Sequence, residues 1–147
     1  MNVFIVYGAP ASGKTTYVKK HKKTNDLIVD FDLIKQSITM NDKTEDVGCL
    51  FDIAEHIRQY LYQIIENRMV KCENAWIIGL FPKAADRNEI AKRLRAKLIY
   101  IKASEQQCIA RAMHDDERKD KELQLRIIEK WFVSYTDHAF DNIERWD

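Results

Sequence analysis

The sequence contains little cysteine, glycine or proline and has almost no net charge. Its three cysteines are an odd number at wide spacing, which argues against a disulfide framework and a cysteine-based zinc site. Only four glycines and two prolines occur in 147 residues, and no linker or low-complexity tract is visible. The formal net charge of +1 excludes a global field that would attract nucleic acid or membranes.

Long apolar runs are also missing, and none approaches the length of a membrane span. The apolar run at residues 3–7 is short and has no basic leader, so we do not expect it to be a signal peptide. The unpaired thiols predict a reducing, cytoplasmic setting. Hydrophobic residues make up 46% of the chain and charged residues 32%, a balance typical of one globular domain, which we expect to span residues 1–147.

Short apolar runs alternate with segments of helical periodicity. The runs predict four buried strands, and the intervening periodicity predicts helices at 14–23, 33–40, 49–70, 85–94 and 105–113, followed by a final helix up to Tyr135. The strands are expected at 3–7, 27–30, 75–78 and 97–101. Nothing after Tyr135 predicts a fifth strand. The alternation predicts a three-layer α/β fold with a short parallel sheet and helices on both faces.

A phosphate-binding motif follows the first predicted strand. Residues 8–15 fit the Walker A pattern GxxxxGK[ST] at every fixed position and lie between an apolar strand and a helix, as a P-loop requires. Its backbone amides would cradle phosphates, Lys14 would reach the β- and γ-phosphates, and the Thr15 hydroxyl would ligate magnesium. The sequence therefore predicts binding of ATP or GTP with Mg²⁺ by residues Gly8, Ala9, Pro10, Ala11, Ser12, Gly13, Lys14, Thr15 and Thr16.

Two aspartates follow the second predicted strand. Asp30 and Asp32 alternate with Phe31, so in an extended chain they project to the same side. Ligands of open parallel sheets bind beyond the carboxyl ends of the strands. We therefore expect Asp30 to serve the metal and Asp32 to accept the proton of an attacking hydroxyl. Either aspartate could instead cap the following helix, and the pair could be that of a phosphatase, although no further phosphatase motif accompanies it.

The P-loop, followed by Asp32 and the residues up to Ile38, resembles the kinase domain of phage polynucleotide kinase and its small P-loop relatives. The resemblance implies a strand order of 2-3-1-4, Asp32 as general base, and a basic residue three positions later, Lys35, on the acceptor phosphate. That family commonly has arginine where this chain has Lys35, and lysine cannot make the same bidentate contact. The paired aspartates also resemble metabolite kinases of the shikimate and gluconate type.

The end of the third predicted strand departs from this family. Related kinases often carry an acid there, whereas this chain has Gly79 and Leu80. If Gly79 replaces that acid, magnesium would depend more on Thr15 and Asp30.

Residues 81–83, Phe-Pro-Lys, follow this strand and distantly resemble the Gly-Phe-Pro-Arg segment of nucleoside monophosphate kinases. In that case Lys83 would contact an acceptor phosphate, and Arg87 could do the same. The alternative is that both belong to the solvated face of a surface helix.

A charged segment at about residues 114–121 resembles the lid of small P-loop kinases. Arg111, on the helix before it, and Arg118, within it, would close over the phosphates and stabilise the charge of the transferring group. The alternative is a solvated turn between two helices.

These features predict an ATP-dependent phosphotransferase with Lys14, Asp32 and Arg111 as its catalytic residues. Its acceptor is expected to be either a 5′-hydroxyl nucleic-acid end or a small nucleotide or nucleoside. A small-metabolite kinase and a non-kinase nucleotide-binding module remain alternatives.

Overall fold

The computed structural model describes residues 1–137 and the strand at residues 143–146. The first half contains β1 (Asn2–Tyr7), α1 (Lys14–His21), β2 (Leu27–Asp30), α2 (Phe31–Thr39), a short 3₁₀ turn (Gly48–Leu50) and α3 (Phe51–Glu66). The second half contains β3 (Asn74–Gly79), α4 (Ala84–Leu94), β4 (Lys97–Ile101), α5 (Glu105–His114), α6 (Lys121–Ser134) and β5 (Ile143–Trp146).

The strands form one parallel sheet in the order β2-β3-β1-β4-β5. The predicted order of the first four strands, 2-3-1-4, is confirmed. The prediction that no strand follows Tyr135 is wrong, because β5 pairs with β4 from Ile143 opposite Leu98 to Trp146 opposite Ile101. A four-residue strand at the sheet edge gives too weak a sequence pattern to be recognised alone.

Alternate residues of the central strands are buried on opposite faces of the sheet. In β1, Val3, Ile5 and Tyr7 belong to one apolar cluster, while Val6 packs in the other with Tyr17 and Val18 of α1. The first cluster also includes buried residues of α3, α5 and α6. This burial of both faces explains why the strand sequences are continuously apolar rather than alternating.

The carboxyl ends of β1, β2 and β3 lie side by side, since Tyr7 pairs with Gly79 and Asp30 pairs with Ile78. Each strand therefore delivers the segment that follows it to the same edge of the sheet. The P-loop comes from β1 and the two aspartates come from β2. In the described part of the chain, no helix is long and apolar enough to cross a membrane.

Candidate active site

A cavity of about 670 Å³ lies at this edge of the sheet. It is lined by the P-loop, by the aspartates after β2, by the segment after β3, and by two loops that approach from the sides. Such a volume is typical of a small-molecule site. Six cationic and three acidic side chains line it, a positive excess that suits a polyphosphate: Lys14, Lys35, Lys43, Arg58, Arg111 and Arg118 against Asp30, Asp32 and Asp115.

The P-loop has the backbone conformation that its glycines allow. Gly8 has a φ of 157°, and a Cβ atom there would lie 2.6 Å from the Ile101 carbonyl oxygen and 2.9 Å from Ser12 Oγ. Gly13, the residue before α1, has a φ of 107°. A side chain at position 8 would collide with the end of β4, so glycine is required for the loop to pass so close to that strand.

The Lys14 ammonium lies inside the loop and donates hydrogen bonds to the carbonyl oxygens of Gly8 (3.0 Å) and Ala9 (2.6 Å). Burial, together with the nearby Arg118 charge, lowers the pKa of Lys14 to about 7. The phosphates of a nucleotide would supply the negative charge that favours the protonated ammonium. The residues present therefore fit a polyphosphate.

Two arginines approach the P-loop from the second half of the chain. Arg111, on α5, donates hydrogen bonds through Nη1 to the carbonyl oxygens of Ser12 (2.9 Å) and Ala11 (3.4 Å). Arg118 lies in the 115–120 loop between α5 and α6, close to the predicted lid. It is held by Asp115 Oδ2 at 3.1 Å and by Gln124 Oε1 at 2.7 Å. Both arginines line the cavity, and their predicted contact with phosphates stays a prediction.

The aspartates reach the cavity by a different geometry from the one predicted. The strand ends at Asp30 and α2 begins at Phe31, so Asp32 lies in the first helical turn rather than in extended chain. Asp30 also caps this helix, because its Oδ1 accepts a hydrogen bond from the Asp32 amide at 3.0 Å. The alternation argument was therefore wrong, although both carboxylates line the same cavity.

The two carboxylates differ in environment. Asp30 is buried, and burial together with the neighbouring Asp32 charge raises its pKa. A divalent cation beside Asp30 would offset both effects. Thr15 and Asp30 line the same cavity and fit a magnesium site, in which magnesium usually takes its remaining ligands from phosphates and water. Within the described residues, no cluster of three or more acidic, histidine or cysteine side chains could hold a metal by itself.

Asp32 is partly exposed and forms an ion pair with Lys35 at 3.1 Å, one turn further along α2. The Lys35 ammonium also lies 5.4 Å from the centre of the Phe31 ring. Both charged residues line the cavity, so the structure brings the predicted base and the predicted acceptor-binding residue together.

The two other predicted acceptor-binding residues lie elsewhere. Lys83 is exposed at the start of α4 and does not line the cavity. Arg87 is fully buried, and its guanidinium donates to the carbonyl oxygens of Phe81, Pro82 and Thr136. These contacts leave Arg87 facing the core, which contradicts its predicted role. Lys83 lies outside the cavity lining, which contradicts the prediction that it contacts an acceptor there.

The sequence analysis also missed Arg58 of α3. Its guanidinium lies 4.4 Å from the centre of the Phe31 ring and pairs with Glu55. Its Nε is buried and has no hydrogen-bond partner within the part of the chain that the structure describes. Arg58 lines the cavity, and it shares the Phe31 ring with Lys35. Helical periodicity alone could not have distinguished it from a solvated arginine.

Two loops that line the cavity contact each other. The first, residues 40–47, contributes Lys43 and Thr44 to the lining, and the second is the 115–120 loop. Asp42 forms an ion pair with Lys119, and Thr44 Oγ1 donates a hydrogen bond of 3.4 Å to the Glu117 carbonyl oxygen. The two loops are therefore linked by direct contacts.

Comparison with known proteins shows the fold. No family model and no curated protein matches the chain. A gluconokinase from Sinorhizobium meliloti 1021 superposes with a TM-score of 0.60 at 12% identity, covering 98% of this chain and 81% of that one. A sugar kinase from Janibacter sp. HTCC2649 gives 0.63 at 13% identity, with coverage of 100% and 85%. Chaetomium thermophilum Kti12, in complex with ADP-AlF3, gives 0.59 at 13%, with coverage of 98% and 88%. The chain has the fold of P-loop kinases.

Proposed function

We propose that this protein is a phosphotransferase that moves the γ-phosphate of magnesium-ATP to a hydroxyl group of a small, anionic acceptor. The observation that carries the proposal is a shared cavity: the phosphate-binding loop with Lys14 and the carboxylates of Asp30 and Asp32 open onto the same space. A site for nucleotide binding alone would need the loop but not a second charged group of residues beside it.

On the nucleotide side, the P-loop amides and Lys14 bind the β- and γ-phosphates. Thr15 and Asp30 would hold magnesium, which would neutralise charge on the phosphates. Arg111, which contacts the loop, and Arg118, which lines the same cavity, stabilise the charge that spreads over the transferring group. These assignments rest on the positions of the side chains around one cavity.

On the acceptor side, Asp32 accepts the hydroxyl proton as the hydroxyl oxygen attacks phosphorus. Lys35 holds the Asp32 carboxylate in place. Arg58 lies beside Phe31 and lines the cavity, and its pair with Glu55 uses Nη2, one of the three guanidinium nitrogens. It is therefore the group that would bind an anion of the acceptor, since a guanidinium pairs well with a carboxylate or phosphate.

The bridged loops favour a small acceptor over a polynucleotide end. Contacts between residues 40–47 and 115–120 link two loops that both line the cavity, and we expect a nucleic-acid strand to require that these loops separate. The gluconokinase and the sugar kinase are named for small-molecule acceptors, which is consistent with this choice. The spacing of Asp32 and Lys35 favours a 5′-hydroxyl nucleic-acid end, so that acceptor is the second candidate.

The experiment that tests the proposal is transfer of labelled γ-phosphate from ATP, and separately from GTP, with magnesium. Three acceptor panels would be used: sugar acids and other hydroxy acids, nucleosides with their monophosphates, and oligonucleotides with 5′-hydroxyl ends. We expect transfer to a member of the first or second panel. Transfer to oligonucleotides alone would reject the small acceptor, and no transfer to any panel by protein that binds magnesium-ATP would reject the kinase assignment.

Arg58→Ala is expected to raise the KM for the acceptor by roughly 30-fold or more, because loss of a charged hydrogen-bonding partner costs about 2–5 kcal/mol. The Kd for magnesium-ATP should remain within about twofold of the wild-type value, since Arg58 lies on the acceptor side. Steady-state transfer kinetics and calorimetry measure the two quantities.

The matched control for this prediction is Arg93→Ala. Arg93 lies on the exterior, where it contacts Glu66 and Gln59 and does not line the cavity. An unchanged acceptor KM in Arg58→Ala, or an equal increase in both variants, would contradict the assigned role.

A further inference from the structure

The segment that follows β3 is held by three successive carbonyl groups. The Leu80 oxygen accepts a hydrogen bond from Trp131 Nε1 at 2.9 Å. The Phe81 and Pro82 oxygens accept from Arg87 Nη1 at 3.2 and 2.9 Å. Side chains of α4 and α6 therefore fix the path of this segment, which is not free to adjust as an exposed turn would be.

Arg87 is unusual in being a fully buried arginine, and its surroundings are aromatic. Its guanidinium carbon lies 4.7 Å from the centre of the Tyr7 ring and 5.3 Å from that of Tyr135. Arg87 Nη2 also donates to the Thr136 carbonyl oxygen at 2.7 Å. The planar fork of an arginine is suited to bind several carbonyl groups at once between two rings.

The held segment places Phe81 in a strained conformation. Its φ of 35° falls in the left-handed region, which a bulky residue rarely adopts. Its ring lies over Gly79, so that a Cβ atom at position 79 would be 2.4 Å from Phe81 Cε2 and 2.8 Å from Cδ2. The ring thus occupies the space that a side chain at the end of β3 would need. Strain of this kind persists only where the surrounding contacts enforce it.

The ring stands at a chemically important position. Gly79 is paired with Tyr7, the residue directly before the P-loop, and Phe81 lines the cavity together with Lys14 and Asp30. A polar side chain at position 79 could hydrogen-bond and orient a water molecule beside the phosphates. An aromatic ring in that place excludes the water and cannot orient it.

We infer that Phe81 is a specificity-determining residue that keeps water from replacing the acceptor, and that Arg87 is its positioning residue. This inference rests on the proposed binding of magnesium-ATP. The reaction that Phe81 suppresses is hydrolysis. The oxygen of water forms a bond to the γ-phosphorus, and the bond from that phosphorus to the β–γ bridging oxygen breaks. ADP leaves with the electron pair, and the water proton passes to solvent.

The test is release of inorganic phosphate from magnesium-ATP with no acceptor present. Phe81→Ala is expected to raise the rate on the order of tenfold, with an unchanged Kd for magnesium-ATP. Phe81→Leu, which keeps an apolar side chain in place, is expected to stay near the wild-type rate. Gly79→Ala should also raise the rate, because its Cβ would displace the ring.

Arg87→Lys tests the positioning role, since lysine keeps the charge but not the fork that binds three carbonyl groups. In folded protein with normal magnesium-ATP affinity, it should raise hydrolysis as Phe81→Ala does, and Phe81→Ala added to it should raise the rate no further. A merely structural role would lower the melting temperature without changing hydrolysis.

The outcomes separate the two proposals. A folded Phe81→Ala protein that binds magnesium-ATP normally and hydrolyses it no faster than wild type overturns this inference alone. Wild-type protein that does not bind magnesium-ATP overturns the proposed function and this inference together.

Discussion

Replacing Asp32 by asparagine is expected to lower phosphoryl transfer by roughly 10²- to 10⁴-fold, the range for removal of a general base. Asparagine keeps the size of the side chain but cannot accept the hydroxyl proton. The Kd for magnesium-ATP should change little, because Asp32 lies in the first turn of α2 and pairs with Lys35, and neither residue belongs to the P-loop. Single-turnover transfer and calorimetry would measure the two effects separately.

Asp52→Asn is the matched control for this experiment. Asp52 lies in the first turn of α3, as Asp32 does in α2, and it is exposed but does not line the cavity. Both changes remove a carboxylate that favours the helix N-terminus, so both should have a similar small effect on stability. Transfer that persists at the wild-type rate in Asp32→Asn would eliminate this residue as the base.

The second large effect is expected at Lys14. Lys14→Met should weaken magnesium-ATP binding by about 2–5 kcal/mol, since a buried charged partner of the phosphates is lost. This corresponds to a factor of roughly 30 to several thousand in Kd. Lys19→Met, an exposed lysine of the same helix, is the control and should bind normally. Equal affinity in the two variants would contradict the role of Lys14.

The pKa of Lys14 adds a pH dependence with a definite sign. In the nucleotide-free protein the pKa is lowered to about 7, mainly by burial. Bound phosphates favour the ammonium and raise the pKa, so above about pH 7 the binding of nucleotide requires uptake of a proton. The affinity should therefore be level below pH 7 and fall with increasing pH above it, by up to about tenfold per pH unit.

Calorimetric titrations between pH 7 and 9 would measure this slope. Lys14→Met cannot take up the proton and should lose the pH dependence that the wild-type protein shows over this range. If wild type and Lys14→Met showed the same slope, the pH dependence would have to come from another group.

The same lowered pKa affects the stability of the nucleotide-free protein. Between about pH 7 and the unfolded-state pKa of Lys14, the unfolded chain binds more protons than the folded one, so this residue makes stability increase with pH. Burial of Lys14 therefore opposes folding at neutral pH and prepares the loop for an anion. A binding site that holds an uncompensated charge is expected to lower the stability of the ligand-free protein in this way.

Local sequence patterns were sufficient for most of the fold. The P-loop could be identified because its residues are contiguous and lie between a strand and a helix, a context that the structure retains in β1 and α1. The first four strands were recognised because they are buried on both faces and therefore continuously apolar. Strand β5 was missed since only its pairing with β4 distinguishes its four residues from an irregular segment.

The acceptor side of the site was less predictable, because tertiary contacts decide it. The sequence around Arg87 is typical of an ordinary surface helix. Only the packing of Tyr7 and Tyr135 around the Arg87 guanidinium shows that this side chain is buried. The position of Arg58 in the cavity could not be predicted either, because only folding brings α3 beside Phe31. The Asp30 cap likewise depends on where α2 begins, a boundary that sequence alone places within a few residues.

The position of Phe81 could not have been anticipated either. The sequence shows only that the end of β3 lacks an acid, from which we expected magnesium to depend more on Thr15 and Asp30. The structure shows a ring over Gly79 in place of a polar side chain. The loss of an acidic side chain and the presence of an aromatic ring in its place have different chemical consequences, and only the structure distinguishes them.

The central claim is that the loop at residues 8–15 binds the polyphosphate of a nucleotide. Isothermal titration of the folded wild-type protein with ATP and with GTP, each with magnesium, tests this claim most directly. We predict saturable one-to-one binding of at least one of the two nucleotides and a higher melting temperature in its presence. Folded protein that gives neither binding heat nor a rise in melting temperature with either nucleotide would contradict the account.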